Sequence, residues 1–280
     1  MEEYFVRDEQ KCAINASFNE SDRTINAKVV SLKKWVDECP HLPVETIDED
    51  FLKMMLLKGK FKEEKVKENI KNYFKYLYKH SEFFTGLADI IPSKEVGLAV
   101  VSPIVTPSWE RIGILKVNFA NTEGSFEFSK CFSVGIATAM IMFNYDYTPT
   151  VRLILDYEGF TIRHFFQTGL LQAFKLMSIY QNILKMRISG IEIINPPFLF
   201  RTVLNILKAV LSSKLYSRIT LHDNLNSLHE NVPKQYLPSD YGGELQSIEE
   251  LLKLWDKTFV QKKSFLRKIE QVSQTNPPAN

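Results

Sequence analysis

The feature that most restricts the fold of this chain is the regular alternation of strand-like and helical segments after Gly86. Short runs rich in β-branched and apolar residues, the pattern of strands, lie at 112–119, 151–155, 190–194 and 218–221. Longer runs with helical spacing separate them at 126–143, 162–185 and 198–211. Strands joined by helices of this length form βαβ units. We therefore predict an α/β domain with a mostly parallel sheet and flanking helices.

The first 90 residues have a different pattern and are predicted to be helical. Apolar residues recur there every three or four positions, and breaks at Pro40, Pro43 and Gly59 separate three helices. A helical pattern returns from Ser247 onward. We predict a small all-helical N-terminal domain at 1–90, an α/β domain at 91–272 and a frayed tail at 273–280.

Composition and charge exclude several classes of protein. Hydrophobic residues make up 45% of the chain and charged residues 24%, values typical of a globular protein. The net charge of +2 and the absence of a nucleic-acid-binding motif argue against nucleic acid as a partner. The cysteines Cys12, Cys39 and Cys131 form an odd, widely spaced set, which argues against a disulfide framework and for a reducing compartment.

No segment of the chain is expected to anchor it in a membrane. The N-terminus lacks the basic start and apolar run of a secretory signal, and no lipidation motif is found. The longest apolar stretch, 134–143, is too short to cross a bilayer. We therefore expect a monomeric cytoplasmic protein that meets membranes transiently, at their surface.

Three motifs after residue 150 carry a family resemblance. Asp156-Tyr157-Glu158-Gly159-Phe160 ends a strand, Asn195-Pro196-Pro197 joins a strand to a helix, and Gly242-Gly243 lies in the segment 237–244. In this order and spacing they resemble the CRAL-TRIO lipid-binding family, in its branch of tocopherol-transfer and cellular retinaldehyde-binding proteins. The helical front, with Lys34-Trp35-Val36, the segment 40–43 and Asp50-Phe51-Leu52, is similar to that family's N-terminal domain. The resemblance covers roughly residues 25–272.

Each of these motifs also has a structural explanation. Asn195 can cap the helix that Pro196 or Pro197 begins, because the fixed φ of proline suits a first helical turn. Gly242-Gly243 permits backbone angles that a Cβ would forbid, and the segment from Asp156 to Gly159 has the chemistry of a turn. We therefore predict that the motifs shape the fold and do not touch a ligand.

The resemblance implies a pocket with the sheet as its floor and the helix after Pro197 as a movable lid. The apolar stripe of that helix fits a core-facing helix equally well, and only the resemblance favours the lid. Tyr180 is predicted to be the polar contact that orients the ligand, and Phe160 stands where tocopherol-transfer proteins have tryptophan, which leaves tocopherol itself in question. Carried over position by position, the ligand-binding residues are Phe132, Ile136, Met140, Val151, Leu153, Leu155, Phe160, Leu176, Ile179, Tyr180, Ile188, Ile191, Ile193, Phe200, Val203, Leu204, Leu207, Val210 and Leu211.

Basic residues are concentrated around the predicted lid. The chain has no acidic residue between Pro197 and His222, but it has four basic ones, Arg201, Lys208, Lys214 and Arg218. The resemblance implies that Lys214, Arg218 and the nearby Arg187 match positions that hold phosphoinositide head groups. We predict a phosphoinositide and membrane surface of Arg187, Lys208, Lys214 and Arg218, with a merely solvated basic face as the alternative. Another basic position of the family falls on Gly59, between Lys58 and Lys60.

Other chemistry finds little support in the sequence. His222-Asp223 and His229-Glu230 lack the surroundings of a metal site, and Asp156 with Glu158 is better explained as a turn than as an acid–base pair. The chain has no P-loop, dinucleotide fingerprint or nucleophile elbow. We predict no catalysis, no metal and no cofactor.

The sequence thus predicts a carrier that binds one small hydrophobic lipid in a closed pocket and exchanges it at phosphoinositide-containing membranes. The resemblance favours a terpenoid-type ligand such as a tocopherol, retinoid or carotenoid. One alternative is a phospholipid transfer protein acting on phosphatidylinositol, and another is a lipid-regulated scaffold recruited to membranes. An enzyme acting on a lipid ranks behind these, because no nucleophile–base pair stands out.

Overall fold

The computed structural model describes residues 5–90, 97–117, 128–161, 187–198, 200–208 and 211–275, together with positions 163, 164, 175, 179, 180, 183 and 185. The helices of the first part are α1 (Asp8–Ser17), α2 (Asp22–Asp37), α3 (Glu49–Lys58) and α4 (Glu63–Lys79). The second part contains β1 (Gly97–Val105), β2 (Glu110–Val117), α5 (Phe128–Tyr145), β3 (Thr150–Asp156), β4 (Ile188–Ile194), α6 (Phe200–Leu207), α7 (Ser213–Tyr216), β5 (Ile219–His222), α8 (Leu225–Asn231) and α9 (Ile248–Gln274).

The four N-terminal helices form where apolar residues repeat with helical spacing. The Ser21 side chain caps α2 by accepting a hydrogen bond from the Thr24 backbone N–H. The apolar stripe of α4 is buried from Val66 to Leu77, and it packs against α3, α2 and α9. The helical character predicted for this region is confirmed, whereas the domain boundary at residue 90 stays a prediction because positions 91–96 lie outside the described residues.

The five strands form one sheet in the order β1-β2-β3-β4-β5. The pairs from β2 to β5 are parallel, as the alternation with helices predicted, and β1 pairs with β2 antiparallel. The sequence analysis missed β1, although the segment 97–105 is rich in valine. Pro103 obscures its pattern, and the structure places this proline where the β1–β2 register shifts between Val101 and Val105, a position at which a strand tolerates proline.

A buried ion pair and a hydrogen bond close to it connect β2, the segment after α5 and the N-terminal helix α3. Arg111 on β2 donates from Nε and Nη2 to the two carboxylate oxygens of Asp146, at 2.9 and 2.8 Å. Two residues further, the Thr148 carbonyl accepts a hydrogen bond from Lys58 Nζ at the end of α3, at 2.7 Å. Burial lowers the pKa of Lys58 to about 8, and the nearby Asp146 carboxylate opposes that shift. The Lys58 ammonium group is therefore held by the Thr148 carbonyl and is not available to bind a group at the protein surface.

Candidate functional site

The two faces of the sheet differ sharply in chemistry. Side chains alternate across a strand, and the parallel register aligns Leu153 with Ile191 and Leu155 with Ile193. Ile193 in turn is aligned with Leu221 on β5, so this face is apolar across three strands. The alternate positions of these strands carry Arg152, Asp156, Glu192 and His222, all buried except the partly exposed Arg152, and Glu110 of β2 pairs with Arg152 there. A ligand on the apolar face therefore meets hydrocarbon from β3, β4 and β5, whose charged side chains lie on the opposite side.

Helix α6 covers the apolar face and builds a cluster separate from the main core. We call this the α6 cluster. Its buried members are Val151, Ile188, Ile191, Ile193, Phe200, Leu204, Leu211 and Leu215. Its partly exposed members are Leu153, Leu155, Tyr157, Tyr216, Ile219 and Leu221. Because strand residues beneath α6 keep accessible apolar surface, the cluster offers a lining of the kind that binding sites for apolar molecules have.

The structure divides the predicted ligand-binding residues into three groups. Those on β3 and β4, together with Phe200, Leu204 and Leu211, lie in the α6 cluster, and the Phe160 ring contacts the Tyr157 ring at a centroid distance of 5.4 Å. Ile136, Met140 and Ile179 are instead fully buried in the main core, where they have no free surface for a ligand. Leu176 and Val210, and the side chains of Phe132, Val203 and Leu207, lie outside the described residues.

Tyr180 lies where α5 packs closely on β2. A Cβ placed on Gly135 of α5 would be 3.2 Å from Leu115 Cδ1 and 3.4 Å from the Tyr180 hydroxyl oxygen. Leu115 is aligned with Leu155 of the α6 cluster, so this hydroxyl lies beside the apolar face of the sheet. Burial raises the pKa of Tyr180 to about 12, so it is a neutral hydrogen-bonding group near neutral pH. Its contact with a ligand stays a prediction.

The three family motifs meet at one buried carboxylate. Asp156 Oδ1 accepts hydrogen bonds from Asn195 Nδ2 at 2.8 Å and from the Glu158 backbone N–H at 3.0 Å. Asp156 Oδ2 accepts one from the Tyr241 hydroxyl at 2.9 Å and lies 3.1 Å from Lys116 Nζ. Asn195 has a φ of 51°, in the left-handed region that asparagine tolerates better than most residues. The segment that leads into α6 is thus fixed to the end of β3.

The glycine pair completes this arrangement by a close approach of two backbones. Gly242 has a φ of 68°, and a Cβ on Gly243 would lie only 1.9 Å from the Leu237 carbonyl oxygen. Any other residue at Gly243 would have to displace that backbone. These contacts support a structural role for the motifs, whereas their lack of contact with a ligand stays a prediction. The predicted cap is wrong, because α6 begins at Phe200 and the Asn195 side chain donates to Asp156 instead.

The histidines considered for a metal site have other partners. On the polar face of the sheet, Arg152 bridges Glu110 and Glu192, and Glu192 Oε2 lies 2.8 Å from His222 Nε2. A Cβ on Gly190 would come within 2.6 Å of Arg152 Nη1, so glycine leaves room for this bridge. His229 Nε2 lies 2.8 Å from the Tyr241 carbonyl oxygen. These contacts give both histidines a structural role.

Four basic residues from distant parts of the chain form one surface, which we call the basic surface: Lys60, Arg187, Lys214 and Arg218. The positive charge of Arg187 is the main cause that lowers the pKa of Lys60, and Lys214 contributes to the same shift. Arg218 donates to the Ile188 carbonyl, directly beside Arg187. Lys208 lies over the Tyr216 ring at 5.3 Å from its centroid. Arg201 instead approaches Asp223, at 4.0 Å.

The backbone after α3 explains why Lys60 joins this surface. Lys60 and Phe61 have φ values of 55° and 56°, both in the left-handed region. The Phe61 side chain is buried against Phe18, at a centroid distance of 5.6 Å, while Lys60 is exposed. The sequence analysis placed the family's basic position on Gly59 and therefore missed Lys60.

Two apolar side chains at the start of α6 and along it face outward. Phe198 is 96% exposed and Ile206 is 43% exposed, although residues of these types are usually buried. Phe198 precedes the helix that covers the α6 cluster, and Ile206 lies on that helix. Among the described residues, no helix has both the length and the apolar character needed to cross a membrane.

Comparison with known proteins gives concordant matches. A family model described as the CRAL/TRIO domain matches residues 108–243. The alpha-tocopherol transfer protein-like protein of Mus musculus is 36% identical over 92 residues, which are 32% of this chain and 27% of that protein. The match thus spans about a quarter of that relative's length. Clavesin-1 of Xenopus laevis is 24% identical over 250 residues, covering 86% of this chain and 74% of that protein.

One solved structure supports the fold. The protein described by "Crystal structure of Sfh5" superimposes with a TM-score of 0.51 at 12% sequence identity. The superposition covers 86% of this chain and 99% of that chain. At this identity the likeness shows the fold alone, a sheet with flanking helices behind an N-terminal helical region.

Proposed function

Since this chain carries a domain of the CRAL/TRIO family, we propose that it is a carrier that holds one small hydrophobic lipid beneath α6 and exchanges it at membranes. The observation on which this rests is the α6 cluster, whose strand residues are partly exposed under a covering helix. Burying apolar ligand surface against such residues is favourable by roughly 25 cal/mol per Å². One or two hydroxyl groups beside the cluster are enough to orient the ligand.

The polarity of the site supports a neutral lipid of the terpenoid type. The ionic side chains of β3 and β4 lie on the opposite face, so the phosphate of a phospholipid would find no cation from these two strands beneath α6. One relative carries tocopherol transfer in its name, which favours the same class. Transfer of phosphatidylinositol is the second candidate, and a lipid-regulated scaffold without transfer activity is the third. We propose no catalytic step.

Native mass spectrometry of the freshly purified full chain tests the carrier proposal. We expect one adduct per chain with the mass of a neutral isoprenoid lipid, and one-to-one binding of at least one isoprenoid by fluorescence. A phosphorus-containing adduct would favour the phospholipid candidate. If solvent extraction yields no lipid, and a panel of isoprenoids and phospholipids leaves the protein unoccupied, the carrier proposal is wrong.

The surface around α6 supports exchange at anionic membranes. The basic surface combines Lys60 from the turn after α3, Arg187 directly before β4, and Lys214 and Arg218 after β4. Phe198 is exposed two residues before α6. Each basic residue near an anionic leaflet contributes about 1 kcal/mol to binding. We propose that this surface holds phosphoinositide head groups, so that docking and opening of α6 are coupled.

Replacing Lys60 and Lys214 together by alanine is expected to slow lipid transfer several-fold to vesicles that contain phosphoinositide. Transfer to neutral vesicles should change little, and the difference should shrink with added salt, because charges are screened within about 10 Å at 0.1 M. The measurement is the transfer rate against vesicle composition and ionic strength. Lys34→Ala with Lys75→Ala is the control, since it removes the same charge from exposed positions of α2 and α4.

Three outcomes of this experiment can be told apart. Selective slowing on anionic vesicles supports docking through the basic surface. Equal slowing on both vesicle types would show that the substitutions impair opening of α6 and would contradict the docking role. No slowing on either would leave a solvated basic face as the explanation.

A further inference from the structure

Tyr157 occupies an unusual position between the sheet and α6. It directly follows β3, and its backbone N–H donates to the Ile194 carbonyl at 3.1 Å. Its ring packs against Phe200, the first residue of α6, at a centroid distance of 4.7 Å, and edge-on against Phe160 at 5.4 Å. Tyr157 therefore belongs to the lining of the α6 cluster at the end where α6 begins.

The structure gives the hydroxyl of this tyrosine no hydrogen bond within the described part of the chain. Tyr157 is partly exposed, and its hydroxyl is not among the described polar atoms that are both fully buried and unpaired. The hydroxyl therefore keeps accessible surface while the ring packs in the α6 cluster. Burial raises the pKa of Tyr157 to about 12, so the hydroxyl is neutral over the physiological range and can both donate and accept a hydrogen bond.

By contrast, the Tyr241 hydroxyl at this end of the sheet has a protein partner. Tyr241 donates to Asp156 on the polar face, and Asp156 directly precedes Tyr157 in the chain. A phenylalanine at position 157 would keep every ring contact with Phe200 and Phe160 without leaving a polar group in the cluster. The described packing therefore does not require the hydroxyl, which is accessible to hydrogen-bond a ligand held beside α6.

We propose that the Tyr157 hydroxyl hydrogen-bonds the polar end of the lipid held beneath α6, so that the site selects neutral lipids with a terminal hydroxyl or carbonyl group. This inference rests on the proposed carrier function and names the ligand's polar end and its partner. The hydroxyl can donate to a carbonyl oxygen or exchange hydrogen bonds with an alcohol. Contact with Phe200 then places the polar end next to the residue with which α6 begins.

The experiment compares two probes that differ by one hydroxyl group, all-trans-retinol and axerophthene, the hydrocarbon in which a methyl group replaces the CH₂OH group. Polyene fluorescence gives the dissociation constant of each probe for the wild type and for Tyr157→Phe. We expect the variant to lose about three- to tenfold in affinity for retinol, the effect of one hydrogen bond, and less than about twofold for axerophthene. A thermal melt confirms that the variant is folded.

Tyr76→Phe is the matched control. Tyr76 is a partly exposed residue of α4 that packs against the main core, outside the α6 cluster, and its ring lies beneath Lys79, so loss of its hydroxyl should affect neither probe by more than about twofold. Tyr180→Phe provides a second comparison beside α5. A selective loss of retinol affinity in Tyr157→Phe alone supports the inference.

Several results would overturn it. Equal losses for both probes in Tyr157→Phe would mean that the residue acts through packing. Unchanged affinities, or a selective loss in Tyr180→Phe alone, would show that another group meets the polar end. Binding of axerophthene by the wild type tests the carrier function separately, since that probe needs no hydroxyl partner, and binding of neither probe nor any other lipid would contradict both proposals.

Discussion

Replacing Leu204 by aspartate is expected to lower lipid affinity at least tenfold while the protein remains folded. Leu204 lies on α6 and is buried, with Phe200, against the strand residues of the α6 cluster, apart from the main core. A carboxylate there would have to be buried without a partner, which costs several kcal/mol, or α6 would have to stay open. Either response removes the closed, apolar site. Fluorescence titration with all-trans-retinol measures the loss, and circular dichroism monitors the fold.

The neighbouring residue supplies the control for this substitution. Asn205 is exposed on the same helix, so Asn205→Asp introduces the same charge one position away without burying it. We expect its affinity to stay within about twofold of the wild type, since exposed charges contribute little. Unchanged affinity in Leu204→Asp would remove α6 from the binding site. Global unfolding of Leu204→Asp would instead assign the α6 cluster to the structural core, against the carrier proposal.

Replacing Asp156 by alanine is expected to lower the free energy of unfolding by about 3–5 kcal/mol, the usual cost of removing one partner from a buried ionic contact. The carboxylate is almost fully buried and accepts from Asn195, Tyr241 and the Glu158 backbone, with Lys116 beside it. Its loss would leave these donors unsatisfied at the point where three chain segments meet. Urea denaturation followed by tryptophan fluorescence measures the change.

Glu158→Ala is the matched control, because Glu158 contacts the same Lys116 but its side chain is 66% exposed. Exposed ion pairs contribute about 0–1 kcal/mol, so this variant should be only slightly destabilised. Asp156→Asn, which keeps one acceptor oxygen, should fall between the two. A loss below about 1 kcal/mol in Asp156→Ala would contradict the role given to this carboxylate.

The strand residues predicted for the candidate site lie together in the α6 cluster, and their contact with a ligand stays a prediction. A strand turns alternate side chains to opposite faces of the sheet. The common face of Val151, Leu153 and Leu155 could therefore be inferred from their two-residue spacing in the sequence alone. The same holds for Phe200 and Leu204, which are four positions apart on one helix. Ile136 and Met140 lie in the main core instead, because the rotation of a helix cannot be inferred along a stretch such as 134–143, in which nearly every residue is apolar.

The amino-acid sequence by itself therefore determined the α/β class, the positions of the four parallel strands along the chain and the three motifs, since these depend on local periodicity and on residues with special backbone geometry. Only the tertiary structure decided that the motifs meet at Asp156, that Lys60 lies beside Arg187, and that Tyr157 carries an unpaired hydroxyl among the described residues. Such contacts join residues far apart in the chain. They depend on strand register, on left-handed turns such as Lys60-Phe61 and on the packing of α6, none of which a local pattern specifies.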